Sequence, residues 1–164
     1  MRDKGEAYSG LIEAEVQAEL NRKTAMDARA ASLIATSGGL VTILAAVSAF
    51  VGSDRSARLP WYASVTLLGA LLAFAFASLA GIMAGRLMRY RAPKIESLNA
   101  MVGDHWDDDE RGARRAVATV RITMVESLRD ANDRKGGWIY AGWWAQAAAL
   151  GLLAVVVMMV IVAP

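Results

Sequence analysis

Arg22 and Arg29 stand seven residues apart, and so do Arg114 and Arg121. Seven residues make two helical turns, so each pair projects from one face of its segment. Two such helices facing one another bracket a single phosphate or nucleotide, because each guanidinium offers two parallel donors to an oxyanion. Arg89 and Arg115 lie in the same charged stretches, and Trp106 presents a flat ring on which a base can stack. Tyr90 is placed for the same role, although its position after an apolar run also suits an interfacial anchor. The same arginines, paired with neighbouring carboxylates, equally describe a solvated surface.

A second loaded stretch holds Asp104, His105, Asp107, Asp108, Asp109 and Glu110. Clustered carboxylates suit hard cations, but this run lacks the alternate-position spacing and turn glycine of a calcium loop. It reads as an acidic turn ahead of a helix, where the dipole favours negative charge. No metal site or catalytic set is expected. There is no Ser/His/Asp arrangement and no Gly-rich phosphate loop, and no ionisable side chain lies in the apolar runs, where a proton or ion relay would need one. The chain has no cysteine, which excludes disulfides and thiolate metal sites. A formal charge of +2 is too small to argue for nucleic acid.

What must position these residues follows from the apolar content of 55% and the mean hydropathy of +0.32. Three charge-free runs carry the excess, at 30–53, 59–85 and 136–164, each longer than the ~20 residues that cross a bilayer. The expected fold is an all-α integral membrane protein, its three transmembrane helices continuing into a cytosolic helical bundle. Its parts are an N-terminal helix over 1–29, the first span at 30–53, an outer loop at 54–58, the second span at 59–85, a helical linker over 86–135 and the third span at 136–164. The cluster Arg86, Arg89, Arg91 and Lys94 follows the second span, and Arg22, Lys23 and Arg29 precede the first. The positive-inside rule then puts the amino terminus in the cytoplasm and the carboxyl terminus outside. Trp61, Tyr62, Tyr90, Trp138 and Tyr140 sit where interfacial aromatic anchors belong.

Within the cytosolic pieces, Ile12, Val16 and Leu20 form an apolar stripe, with Glu19–Lys23 and Lys23–Asp27 as i,i+4 pairs. No proline precedes residue 60, so this helix is expected to run on into the first span as one rod. Ile95, Leu98, Met101 and Val102 mark a short helix after Pro93, and Val117, Val120, Met124 and Leu128 a longer one over about 111–134. Gly136 and Gly137 are expected to interrupt the last helix. Gly69, Ala73, Ala77, Gly81 and Gly85 recur every four residues along the second span, and Ala141, Ala145 and Ala149 along the third. Such rows let membrane helices approach closely, within one subunit or between copies of a homo-oligomer.

The segment LIEAEVQAELNRKTAMDARAASLIATSGG, over 11–39, resembles the start of the transmembrane effectors of the bacterial Pycsar antiphage system. In that family a cytosolic helix passes through an Asp-x-Lys/Arg-Ala element, here Asp27, Arg29 and Ala30, into a span bearing small residues, here Gly38 and Gly39. Two further spans separated by a cytosolic helical linker complete a plan shared with SLATT-type membrane effectors. The resemblance implies a non-enzymatic inner-membrane protein with lipid and its own copies as partners. Its regulatory ligand would be cUMP or cCMP, made by a partner cyclase on infection, after which the effector impairs the membrane. An accessory scaffold of a transfer or transport machine, acting through helix contacts alone, is the alternative.

Overall fold

The computed structural model describes residues 4–53, 60–86, 90–103 and 109–162, with the side chains at 4, 43, 46–53, 102 and 160–162 left outside that description. Among the described residues there are four helices and no strand: α1 (Lys4–Ser53), α2 (Trp61–Gly85), α3 (Ile95–Gly103) and α4 (Glu110–Val162). The expected single rod is there in α1, 50 residues long. Pro60 starts α2, its carbonyl accepting from the N–H groups of Ala63 and Ser64 at 3.0 and 3.1 Å. Asp109 caps α4: Gly112 N–H donates to its Oδ1 at 3.2 Å and Ala113 N–H to its carbonyl at 3.1 Å. The rest of the acidic run, Asp104 to Asp108 with His105 and Trp106, lies outside the described residues, as does Arg89.

One expectation is corrected. Gly136 and Gly137 do not interrupt the last helix, which runs unbroken through both, with no glycine at positive φ among the described residues. A glycine costs a helix only about 1 kcal/mol. Here the buried Lys135 and Ile139 on either side hold the turn in place, and Met26 Cε lies 3.5 Å from where a Cβ of Gly136 would be.

The chain divides into two compact units, Met1–Ala25 with Leu87–Arg134, and Met26–Arg86 with Lys135–Pro164. In each, the buried positions of the long helices are spaced by three, four or seven residues. On α1 they are Val16, Glu19, Met26, Ala30, Leu33 and Ser37; on α4 they are Val125, Leu128, Asn132, Lys135, Ile139, Gly142, Ala149 and Val156. That is the heptad seam of helices crossing at a shallow angle. Contacts inside the second unit give the directions. Met26, Ala30, Ala84 and Ile139 form one buried cluster, while Gly69 approaches Leu152. Residue numbers rise together along α1 and α4 and fall along α2, so α1 and α4 run parallel there and α2 antiparallel to both.

The small-residue row of α2 meets this seam only in its middle. Ala77 and Gly81 are buried, whereas Gly85 is exposed with open space where a Cβ would point. A strict four-residue step drifts about 40° per step around a 3.6-residue helix, so the ends of the row leave the contact face. The face itself repeats every seven residues, at Ala63, Ala70, Ala77 and Ala84. The closest approaches are at Gly81, where an added Cβ would lie 2.7 Å from Ile34 Cγ1 and 3.2 Å from the Ala30 carbonyl oxygen, and at Gly142, where it would strike Leu33 and Ala80. Gly81 is thus engaged within the chain.

Small residues predominate inside, with Phe74 a fully buried exception on α2, and most bulky ones are outside. Trp61, Tyr62, Val65, Leu68, Leu72, Phe76, Leu79 and Ile82 are exposed along the whole of α2, as are Trp138, Tyr140, Trp143, Trp144, Leu150, Val157 and Met158 on α4. Among the described residues two helices are long and apolar enough to cross a membrane, Trp61–Gly85 and Glu110–Met159, with mean hydropathies of 2.2 and 1.7 over their most apolar stretches. Only 33% and 17% of those stretches are buried, the reverse of a soluble core helix. The first apolar run is not among them, and its side chains at 46–53 fall outside the described residues.

Close packing at two glycines predicts an asymmetric response to substitution. Gly81→Leu and Gly142→Leu should each destabilise the detergent-solubilised protein by about 1–3 kcal/mol through overpacking, and Gly85→Leu by less than about 0.5 kcal/mol. Thermal unfolding of the three variants checks this.

Candidate functional site

The first unit carries most of the charged residues singled out from the sequence. Its two long segments, the start of α1 and the first half of α4, are joined by a polar ladder. Arg121 donates to Glu13 at 3.3 Å, Arg129 to Glu15 at 2.5 Å and to Glu19 at 2.9 Å, and Arg22 to Asp133 at 2.8 Å. Partner numbers rise together along both helices, so the segments run parallel in this unit as well.

At the centre of the ladder, Glu19 is only 7% exposed and Asn132 1%. Asn132 Nδ2 donates to Glu19 Oε2 at 2.9 Å and to the Glu19 carbonyl at 3.1 Å, while Arg129 Nε takes the other carboxylate oxygen. Burial pushes the Glu19 carboxyl pKa up, but the hydrogen bonds from Asn132 and Arg129, with the nearby charges of Arg22 and Arg129, outweigh it and hold the group below its ordinary value. The Arg129 guanidinium is raised, first through its hydrogen bond to Glu19. Polar groups at seam positions fix register, since any slip would leave a buried carboxylate and amide without partners.

These contacts do not bring the expected arginines together. Arg22 meets α4 at Asp133, twelve residues and about 18 Å beyond Arg121. Arg114 is paired with Glu110 at 2.5 Å on its own helix, and Arg115 is exposed. Asp27 and Arg29 belong to the second unit. There Asp27 accepts from Lys135, a lysine only 4% exposed, and Arg29 is exposed with no side-chain partner among the described residues. Glu19 and Asp27, expected in pairs along α1, thus also find partners on α4. Among the described residues no group of three or more His, Cys, Asp or Glu side chains is arranged to hold a metal.

Sequence reasoning missed Glu19, Arg129, Asn132 and Lys135 as a structural set. Their signal was the three-and-four spacing of residues 125, 128, 132, 135, 139 and 142, which a search for apolar residues alone passes over. One solvent-open cavity in this unit, of about 530 Å³, lies against α4 and includes Arg91, Ser127 and Arg134 in its lining. In the second unit Gln146 Nε2 donates to Thr36 Oγ1 at 3.0 Å. No protein family, curated protein or solved structure matches the chain.

The Glu19 cluster carries a pH signature. Because its folded carboxyl lies below the ordinary value of 4.5, its contribution is complete above that pH and is lost as the pH falls through the lowered value. Melting temperature should therefore drop on acidification below about pH 4.5, and Glu19→Gln should flatten that drop while lowering stability at pH 7. Asn132→Ala should cost about 1–3 kcal/mol at neutral pH, since it strips a buried carboxylate of a donor.

Proposed function

We propose that this chain is an inner-membrane effector of a bacterial antiphage signalling system. A partner cyclase makes a cyclic pyrimidine mononucleotide, the ligand binds the charged helical unit, and the apolar unit then impairs the membrane. The observation that carries the membrane part is the row of exposed bulky side chains from Trp61 to Ile82. At 1.5 Å per residue that row is about 30 Å long, the thickness of a hydrocarbon core. The run 30–53 also spans the membrane in this reading, as the first of three spans, parallel to the last one, with the amino terminus inside. The ligand part rests on the resemblance of 11–39 to the Pycsar effectors.

A route from ligand to lipid needs no extra element. Both α1 and α4 contribute to each unit without a break. A ligand that favours a different pairing of their charged halves would alter the same two helices further along. It shifts the equilibrium only by its differential affinity for the two pairings.

One observation favours the second reading, an accessory membrane scaffold. Arg22, Arg121 and Arg129 are already paired with carboxylates of the same chain, as a purely structural seam requires. Co-expression in a bacterial host separates the two. With a pyrimidine nucleotide cyclase, the effector should arrest growth and admit a membrane-impermeant dye, and neither gene alone should do so. Normal growth and an intact dye barrier with both genes expressed would leave the scaffold reading standing.

A further inference from the structure

The arginines of the first unit divide by what already holds them. Arg22, Arg121 and Arg129 are engaged across the seam. Arg91 is exposed and its guanidinium has no partner among the described residues. Arg134 makes only an exposed i,i+4 pair with Asp130 at 2.8 Å, of a kind worth little and readily exchanged. Both residues line the same cavity, together with Thr123, Glu126, Ser127 and Asp130.

The cavity is built by one helix face and one anchored segment. Residues 123, 127, 130 and 134 follow one another at i, i+4, i+7 and i+11 and share a face of α4. The backbone N–H of Arg91 donates to Ser127 Oγ at 3.1 Å, which ties the segment leading to α3 against that face, and the Ser127 hydroxyl donates to the Met124 carbonyl at 3.0 Å. At about 530 Å³ the space falls within the range of small-ligand sites.

Its chemistry is mixed rather than basic. Two guanidiniums suit a tetrahedral oxyanion. Two carboxylates, Glu126 and Asp130, accept from ligand hydroxyl groups and repel a second or third negative charge. We propose that this cavity binds a phosphodiester monoanion bearing a free hydroxyl, the class of nucleoside cyclic monophosphates. Arg91 and Arg134 take the phosphate, and Glu126 or Asp130 takes the ribose hydroxyl. The choice of that class rests on the effector reading; the place and the preference for a single charge come from the cavity. Binding exchanges the Arg134–Asp130 pair for contacts to ligand, freeing Asp130 to accept.

The test uses the full chain in detergent, with cyclic UMP, cyclic CMP, linear UMP and inorganic phosphate as probes in binding titrations. A cyclic pyrimidine nucleotide should bind at least about tenfold tighter than linear UMP or phosphate, and Arg91→Ala or Arg134→Ala should weaken it at least about tenfold. Arg111→Ala, on an exposed side chain outside the cavity, should change it less than about twofold, and all three variants should keep the ligand-free melting temperature, since exposed substitutions shift stability by less than about 0.5 kcal/mol. Cyclic nucleotide binding that survives both cavity variants would overturn this site while leaving the effector reading in place. Tighter binding of linear UMP, or no binding of any probe at millimolar concentration, would overturn the proposal too, the effector reading then resting on the co-expression result.

Discussion

Gly142 leaves no room for a Cβ beside Leu33 and Ala80, and Gly81 leaves none beside Ile34. The three helices of the second unit therefore approach closely at these two glycines, with Leu33 and Phe74 fully buried beside the small residues. The consequence is geometric: a helix that turns Ala63, Ala70, Ala77 and Ala84 inward must turn Val65, Leu68, Leu72, Phe76 and Leu79 outward. In water that arrangement would be unstable, since large apolar surface would stay hydrated. In lipid it costs nothing, because acyl chains are as apolar as the side chains facing them and association comes from close packing. Small-inside packing and bulky-outside exposure are thus one constraint seen from two sides.

The first unit solves the same seam with opposite chemistry. Where the second unit buries mainly alanine and glycine with Leu33, Phe74 and Ile139, the first has Glu19 and Asn132 beside Val16, Val125 and Leu128. A ladder of ion pairs flanks them. Most of its members are partly exposed, so they contribute direction and register more than net stability. The buried Glu19–Asn132 contact is the discriminating one, since a register slip would leave both groups unsatisfied. A seam of this kind is specific yet polar, and polar helix contacts can be exchanged for contacts to a charged ligand more readily than an apolar core can be opened.

Much of this was legible in the residues. The absence of proline before residue 60 gave the long α1, Pro93 and the Ile95–Leu98 spacing gave α3, and the acidic run 104–110 announced the start of α4. The glycine pair at 136–137 misled because local propensity was weighed without the flanking buried residues Lys135 and Ile139 that keep the helix continuous. The row from Gly69 to Gly85 was half legible: its residue types identify a contact helix, but a four-residue period does not stay on one face. The arginines were the least legible. Spacing on a single helix says which side chains share a face and nothing of what faces them, so the carboxylates opposite Arg121 and Arg22, Glu13 and Asp133, leave no trace in it. Arg91, outside any helix, carried no periodic signal at all.

The central claim is that α1 crosses the membrane along with α2 and α4, although two helices meet the length and hydropathy requirement. With no cysteine in the chain, single cysteines report cleanly on which side they lie. Labelling of Ser9→Cys and Ser56→Cys by a membrane-impermeant maleimide, in intact spheroplasts and after lysis, is the most direct measurement. The account predicts that Ser56→Cys is labelled in intact spheroplasts and Ser9→Cys only after lysis. Labelling of both without lysis would place the two ends of α1 on one side of the membrane and contradict it.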